Sequence, residues 1–222
     1  MATRAIDSRT PETKPDTRTD SRARRYDPAE TKQRVLAAAH MLFSTKGFAN
    51  TGTADIAREA DVSEGSIFYH FGSKKALLAE LGVRHGRMMI EAMEGGDALE
   101  DLEPGIIIPR VFKFCRDNML WEGITGSACE VGTPAMVKNP DAEPFYHAAK
   151  ATTTEWIHHQ MVVAMAKRGI ADVDIELAAS FTHHIVGDAI ERILTAATPE
   201  EAARVEKETV RFVRAACNYP AA

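Results

Sequence analysis

The residues best suited to chemistry lie in two short segments, 53–60 and 64–70, whose pattern predicts two helices joined by a tight turn. Ala57 supplies the small side chain that two steeply crossing helices need where they touch. Asp61 lies in the short link, where one residue near the left-handed region is expected. Ser63 can cap the second helix and leave its polar, aromatic outer face free. This is the layout of a helix-turn-helix, whose second helix enters the major groove of DNA.

The elements that position these segments are predicted to be helices too. Asp27 and Pro28 are suited to begin a helix that Gly47 ends as a left-handed cap, and Ser73 begins a longer helix that stops at Gly95. Further helices are expected around Phe112, over 142–168 and 173–197 and from Pro199 onward, with an irregular link over 121–140. No convincing alternating strand follows residue 104. The fold class is therefore predicted to be all-α: a disordered arm (1–26), a helix-turn-helix head (27–75) and a helical domain (76–222).

Composition and charge narrow the class of protein. Apolar residues make up 45% of the 222 residues and charged residues 27%, and no apolar run approaches the ~18 residues of a membrane span. Three separated cysteines, Cys115, Cys129 and Cys217, argue against a disulfide framework and a spaced zinc site. Without the apolar core of a secretion signal in the first 26 residues, a soluble cytoplasmic protein is expected. The net charge of −5 arises in residues 81–222, which hold 14 basic and 21 acidic groups, so it does not exclude DNA binding by the head.

The polar arm ends in a basic cluster beside the first helix. Residues 1–26 contain few bulky apolar side chains, so burial cannot offset the entropy of ordering them. Arg24 and Arg25 could contact phosphate or the minor groove, or belong to a solvated tail.

The pattern over residues 28–80 resembles the TetR family of transcriptional repressors. The shared positions are Gly47, Phe48, Thr51, Asp55, Ile56, Ala57, Ala60, Val62, Ser63, Gly65, Tyr69, His70, Phe71, Ser73, Lys74 and Leu77. The sequence departs from the family at Gly52, Asp61 and Phe68, where Thr or Ser, Gly and Tyr are usual. The string 52–57 is also similar to the LuxR/HapR branch of that superfamily.

The resemblance implies which head residues contact DNA: Thr53, Ser63, Glu64, Gly65, Ser66, Tyr69, His70 and Lys74. Tyr69 and His70 would reach phosphate or base edges, and Lys74 would contact the DNA backbone. Glu64 could accept a hydrogen bond from cytosine N4, or it is an exposed acid stabilised by the helix dipole. Phe68 and Phe71 are expected in the core rather than on the DNA.

The resemblance also implies an effector cavity and a homodimer built from the last two long helices, which would place two recognition helices about 34–36 Å apart on a palindromic operator. The interface candidates are Phe181, Ile185, Ile190, Val205, Phe212 and Val213. Apolar cavity candidates, for which ordinary core packing is the alternative, are Phe112, Cys115, Met119, Trp121, Phe145, Trp156 and Met161. Gln160, His159 and His183 are candidate polar anchors.

The favoured function is a repressor that binds double-stranded DNA and is released from it by a small apolar effector. Such a protein is not an enzyme and needs no cofactor or metal. An activator or effector-independent DNA binder of the same fold is one alternative. A metal enzyme or sensor is another, because Glu155 and His158 have the spacing of carboxylate-bridged metal bundles. That chemistry needs the motif twice, and no second Glu-x-x-His occurs. The pairs 158–159 and 183–184 could supply one histidine ligand each.

Overall fold

The computed structural model describes residues 27–118 and 140–219, and within them every regular element is a helix. Three helices form the head: α1 (Pro28–Lys46), α2 (Thr53–Glu59) and α3 (Glu64–Phe71). The rest consists of α4 (Lys74–Glu94), α5 (Pro104–Asp117), a 3₁₀ turn (Pro140–Ala142), α6 (Glu143–Arg168), α7 (Ile175–Leu194) and α8 (Pro199–Ala216). The predicted all-α fold is confirmed. The predictions for the arm, for link residues 121–139 and for Arg24, Arg25, Met119 and Trp121 fall outside the described residues.

Side-chain caps fix the starts of the head helices where the sequence predicts them. The Asp27 carboxylate accepts a hydrogen bond from the Ala29 amide at 2.8 Å, and the Ser73 hydroxyl accepts one from the Ala76 amide at 3.0 Å. Gly47 has the expected positive φ of 80°, but its ψ of 156° is extended, so the predicted left-handed helical conformation is wrong. The chain leaves α1 in an extended direction there and reaches α2 by a short loop.

The head encloses its own hydrophobic core. Its buried members come from all three head helices and the start of α4, and Val35, Phe43, Ile56, Ile67 and Leu77 are fully inaccessible. We call this cluster the head core. Phe145 of α6 also belongs to the head core, although it lies about seventy residues after the start of α4 in the sequence.

A second cluster, the lower core, is formed by residues of the five helices from α4 through α8 and includes Met93, Phe112 and Met161. Ile190 and Val213 also lie there, at 8% and 2% exposure, so their predicted place in a dimer interface is wrong. The stripe of α7 that holds Ile190, and the face of α8 that holds Val213, point into the subunit.

Helices α4 and α6 approach each other closely along two glycines of α4. A Cβ placed on Gly82 would lie 2.2 Å from the carbonyl oxygen of Phe145. A Cβ on Gly86 would lie 3.0 Å from Cβ of Thr152. The absence of side chains at both positions therefore allows the α6 backbone to lie against α4, and it sets the position of Phe145.

None of the helices in the described part of the chain has the length and hydropathy that crossing a membrane requires.

Candidate DNA-contact surface and ligand cavity

The outer face of α3, the recognition helix, presents two large aromatic side chains. Tyr69 is 79% exposed, and its ring lies edge-on to His70 with the centroids 5.1 Å apart. Phe68 is 48% exposed, so the prediction that it belongs to the core is wrong, whereas Phe71 is buried as predicted. Ile67 and Phe71, four residues apart, occupy the inward face of the helix, which turns Phe68 outward. Phe68 therefore joins Tyr69 on the surface that a groove would meet.

The turn between α2 and α3 has the geometry that the sequence predicts. Asp61 has φ 52°, in the left-handed region. The Val62 amide donates to the Ala57 carbonyl at 3.0 Å and closes the turn. The Arg34 guanidinium of α1 donates to the carbonyls of Ala60 and Asp61 at 3.2 and 3.3 Å. Arg34 thus fixes the turn to α1, a role that no local sequence signal indicates.

Two predicted DNA contacts form a hydrogen-bonded pair with each other. The Thr53 hydroxyl, at the start of α2, donates to the carboxylate of Glu64, at the start of α3. The pair joins the first turns of the two helices on the exposed side of the head. It orients the Glu64 carboxylate, the group that would accept a hydrogen bond from cytosine N4.

The first turn of the recognition helix is polar and small. The Ser63 hydroxyl caps the helix by accepting from the Ser66 amide at 3.2 Å, and the two hydroxyl oxygens lie 2.8 Å apart. A Cβ on Gly65 would meet nothing closer than the Ser63 hydroxyl at 3.8 Å. Packing within the described chain therefore does not require glycine at position 65.

Lys74 has a structural role that the sequence does not reveal. Its ammonium donates to the carbonyls of Phe48 and Thr51 at 2.9 and 3.0 Å and lies 4.2 Å from the Phe48 ring centroid. These bonds tie the start of α4 to the loop between α1 and α2. An ammonium has three N–H groups, so one remains for the predicted DNA phosphate.

A cavity of about 340 Å³ lies between α4, α5, α6, α7 and the C-terminal end of the described chain. Five predicted lining residues line it: Phe145, Trp156, Gln160, Met161 and His183. Two predictions are wrong, because Phe112 and Cys115 pack in the lower core and are not among the described lining residues. His159 is exposed on α6 and is also absent from that lining, so it is no polar anchor.

Most of the lining residues were not predicted, because their helices are apolar on more than one side and periodicity alone does not tell which side faces a cavity. They are His85, Met89, Met93, Pro104, Ile107, Ile108, Val111, Tyr146, His147, Ala149, Lys150, Thr153, Ile157, Thr182, Val186, Gly187, Ile190, Val213 and Tyr219. The lining is predominantly apolar, with isolated polar groups, as is usual for small-molecule sites.

Several polar groups of the lining are fixed by neighbours. The Gln160 amide donates to the Leu102 carbonyl at 3.0 Å, and the Trp156 indole donates to the Glu94 carboxylate at 2.8 Å. Burial, with a smaller contribution from His40, lowers the pKa of His85 to about 4. Burial, then the charge of Lys150 and the neighbouring His184, lower the pKa of His183 to about 4. Both imidazoles are therefore neutral near pH 7.

No cluster of metal ligands supports the alternative of a metal site in the part of the chain that the structure describes. Across residues 27–118 and 140–219, no three His, Cys, Asp or Glu side chains converge as ligands. Glu155 and His158, the candidate metal motif, are both exposed on α6.

Three large apolar side chains on α7 and α8 are exposed. Leu177 and Phe181 of α7 are 51% and 60% exposed, and Phe212 of α8 is 55% exposed. The predicted interface residues Ile185 and Val205 are half-buried against the lower core. Of the predicted set, Phe181 and Phe212 are thus the two that offer most surface to a partner.

Comparison with known proteins places the head in a family. Residues 35–81 match the family model for bacterial regulatory proteins of the tetR family. The regulator AcrR of Shigella flexneri is 36% identical over 61 residues, which is 28% of each chain. IcaR of Staphylococcus aureus (strain Newman), a negative transcriptional regulator of the biofilm operon icaADBC, is 39% identical over 46 residues, 21% of this chain and 25% of that one. The chain thus aligns with less than a third of the length of either relative.

The likeness of fold extends over most of the chain. The crystal structure of the multidrug binding protein EbrR, complexed with imidazole, superposes with a TM-score of 0.58 at 19% identity, over 86% of this chain and 96% of that one. The narrower similarity of residues 52–57 to the LuxR/HapR branch stays a prediction. The helix-turn-helix head thus matches bacterial regulatory proteins of the tetR family over residues 35–81, and the likeness to the solved structure shows the fold of the rest.

Proposed function

We propose that the protein is a homodimeric repressor in the cytoplasm that binds a palindromic operator and is released from it by a small, largely apolar effector. The named relative IcaR is a negative regulator, which supports repression as the sign of control. The DNA contacts would come from the exposed face of the recognition helix, led by Tyr69, and from the first turns of α2 and α4.

The exposed apolar surface of α7 and α8 supports the dimer. Exposed large apolar side chains commonly mark an interaction site, and Leu177, Phe181 and Phe212 are each more than half exposed. A two-fold axis through this surface would pair each of these residues with the same patch of a second copy. The two heads would then face one side of a duplex, at a spacing of about 34–36 Å for successive major grooves.

The observation that carries the effector part of the proposal is the double position of Phe145. Its side chain belongs to the head core and also lines the cavity. An occupant that displaces Phe145 must also disturb the packing of α1 to α4, and therefore the orientation of the recognition helix. By linkage, DNA and effector weaken each other's binding by the same factor. The structural neighbour EbrR is a multidrug binding protein complexed with imidazole, which supports a small-molecule effector.

Selection of bound duplexes from a random DNA pool tests the proposal, followed by a salt titration on the selected sequence. We expect a palindrome bound by one dimer, with an affinity that falls steeply as salt rises, because phosphate contacts release counterions. Mass spectrometry of the same preparation establishes that the protein carries no small molecule. A folded, ligand-free protein that enriches no sequence would refute the proposal.

A further inference from the structure

The cavity has an uneven charge. Among its described lining residues there is no Asp or Glu, whereas Lys150 brings a full positive charge. The histidines add little to it near neutral pH, because burial keeps the pKa of His85 and His183 far below 7. His147, exposed at the edge of the cavity, lies 3.3 Å from the carboxylate of Glu143.

Two carboxylates next to the lining have partners other than Lys150. Glu94 accepts from the Trp156 indole at 2.8 Å. Glu103 pairs with Arg214 at 2.7 Å. No carboxylate in residues 27–118 and 140–219 forms an ion pair with Lys150, so its charge is not compensated within the described chain.

The immediate partner of Lys150 is a histidine. The Lys150 ammonium lies 3.1 Å from Nε2 of His184, and Nδ1 of His184 lies 2.7 Å from the Ser180 carbonyl. The carbonyl can only accept, so Nδ1 carries the proton and Nε2 accepts from the ammonium. Lys150 retains two further N–H groups. Nearby, Thr153 and His183 approach within 3.4 Å of each other across α6 and α7. We call Lys150, Thr153, His183 and His184 the polar corner.

Apart from the polar corner the described lining is mainly apolar, with Met89, Met93, Ile108, Met161 and Ile190 among its members. Such a site combines one charged group with a methionine-rich remainder that adapts to different shapes. Because the Lys150 ammonium has a histidine and no carboxylate as its partner, and the other described lining residues are mainly apolar with no acid among them, we infer that the effector is an amphipathic carboxylate whose head group binds Lys150 and whose apolar body fills the cavity. This inference rests on the proposed function, since it names the ligand class of that site.

The charge selects between ligand classes. A carboxylate would form charge-assisted hydrogen bonds with the remaining N–H groups of Lys150. A neutral ligand with the same tail would lack them, and a cationic ligand would place a second positive charge beside the ammonium with no acid in the described lining to offset it. The preferred order is therefore anion, neutral molecule, cation.

Calorimetric titration of the purified dimer with three ten-carbon probes below their micelle concentrations tests this order. The probes are decanoate, decan-1-ol and decyltrimethylammonium. We expect decanoate to bind about tenfold more tightly than the alcohol, the order of one charge-assisted hydrogen bond at a partly exposed site. Lys150→Met, which keeps an apolar stem, should lose that preference, and Lys150→Arg should keep it. Lys167→Met is the matched control on the same helix, because Lys167 pairs with Asp101 on the surface.

Binding of the cationic probe as tightly as decanoate, an unchanged decanoate affinity in Lys150→Met, or no binding of decanoate would each overturn the inference. The DNA selection described above separates this failure from failure of the proposed function. A protein that enriches a palindrome but ignores the charge of the probe remains a DNA-binding regulator with a different effector class. A protein that enriches no sequence loses the proposed function, whatever the probes do.

Discussion

Replacing Gly82 by alanine should push α6 away from α4, and it tests whether their close approach sets the head. The new Cβ would lie 2.2 Å from the carbonyl oxygen of Phe145, where real Cβ contacts are essentially never under 3.0 Å. Because the obstructing atom is backbone, no rotamer change relieves the clash, and α6 must retreat by about 0.8 Å. Overpacking of this kind costs about 1–3 kcal/mol. The higher helix propensity of alanine returns about 0.5–1 kcal/mol.

The net loss lies at about 0–2.5 kcal/mol and centres near 1 kcal/mol, which corresponds to a fall in Tm of roughly 2–4 °C for a chain of this size. We also expect weaker operator binding, because the displaced backbone carries Phe145 and with it one wall of the head core. Thermal unfolding and an operator titration measure the two effects. Gly187→Ala is the control, since its added Cβ would meet nothing within 4 Å. If Gly82→Ala matched Gly187→Ala in Tm and in operator affinity, the role assigned to the α4–α6 contact would be wrong.

Three further substitutions test the head and the dimer. Tyr69→Ala should abolish sequence-specific DNA binding and leave Tm nearly unchanged, since the side chain is 79% exposed; a drop of several degrees would show that it packs in the core instead. Lys74→Met should lower Tm by a few degrees through two lost carbonyl bonds, and should weaken binding to all sequences with a salt slope flatter by about one. Lys75→Met, at the exposed neighbouring lysine, is the control. Equal Tm values in the two variants would contradict the structural role of Lys74. Phe181→Asp should convert the proposed dimer to monomer in sedimentation, while Val162→Asp, at a partly exposed apolar residue of α6, should not; a persistent Phe181→Asp dimer would move the interface elsewhere.

The head could be predicted from sequence because its signals are local. The caps at Asp27, Ser63 and Ser73 and the left-handed Asp61 depend on a residue and its near neighbours. The prediction that Phe68 lies in the core failed because helix packing, not local sequence, decides its burial. An aromatic residue on a short helix is buried or exposed according to which face meets the other helices, and here Ile67 takes the inward position.

The cavity and the dimer surface were harder to predict, because long helices with two apolar stripes do not show which stripe faces inward. Phe212 and Val213 are adjacent, and both are apolar, yet one is 55% exposed and the other 2%. The role of Lys74 in binding loop carbonyls was missed for a related reason: its partners lie more than twenty residues away in the chain.

Operators of altered spacing test whether one dimer holds two recognition helices one helical turn apart. Five or ten base pairs are inserted into the centre of the selected palindrome, and the affinity of the dimer is measured at one salt concentration. Because about 10–10.5 base pairs complete a turn, five turn one half-site to the opposite face of the duplex, while ten restore the face but double the distance. If one dimer spans both half-sites at the selected spacing, either insertion causes a large loss of affinity, down to that of a single half-site. Affinity that is insensitive to both insertions would contradict that arrangement.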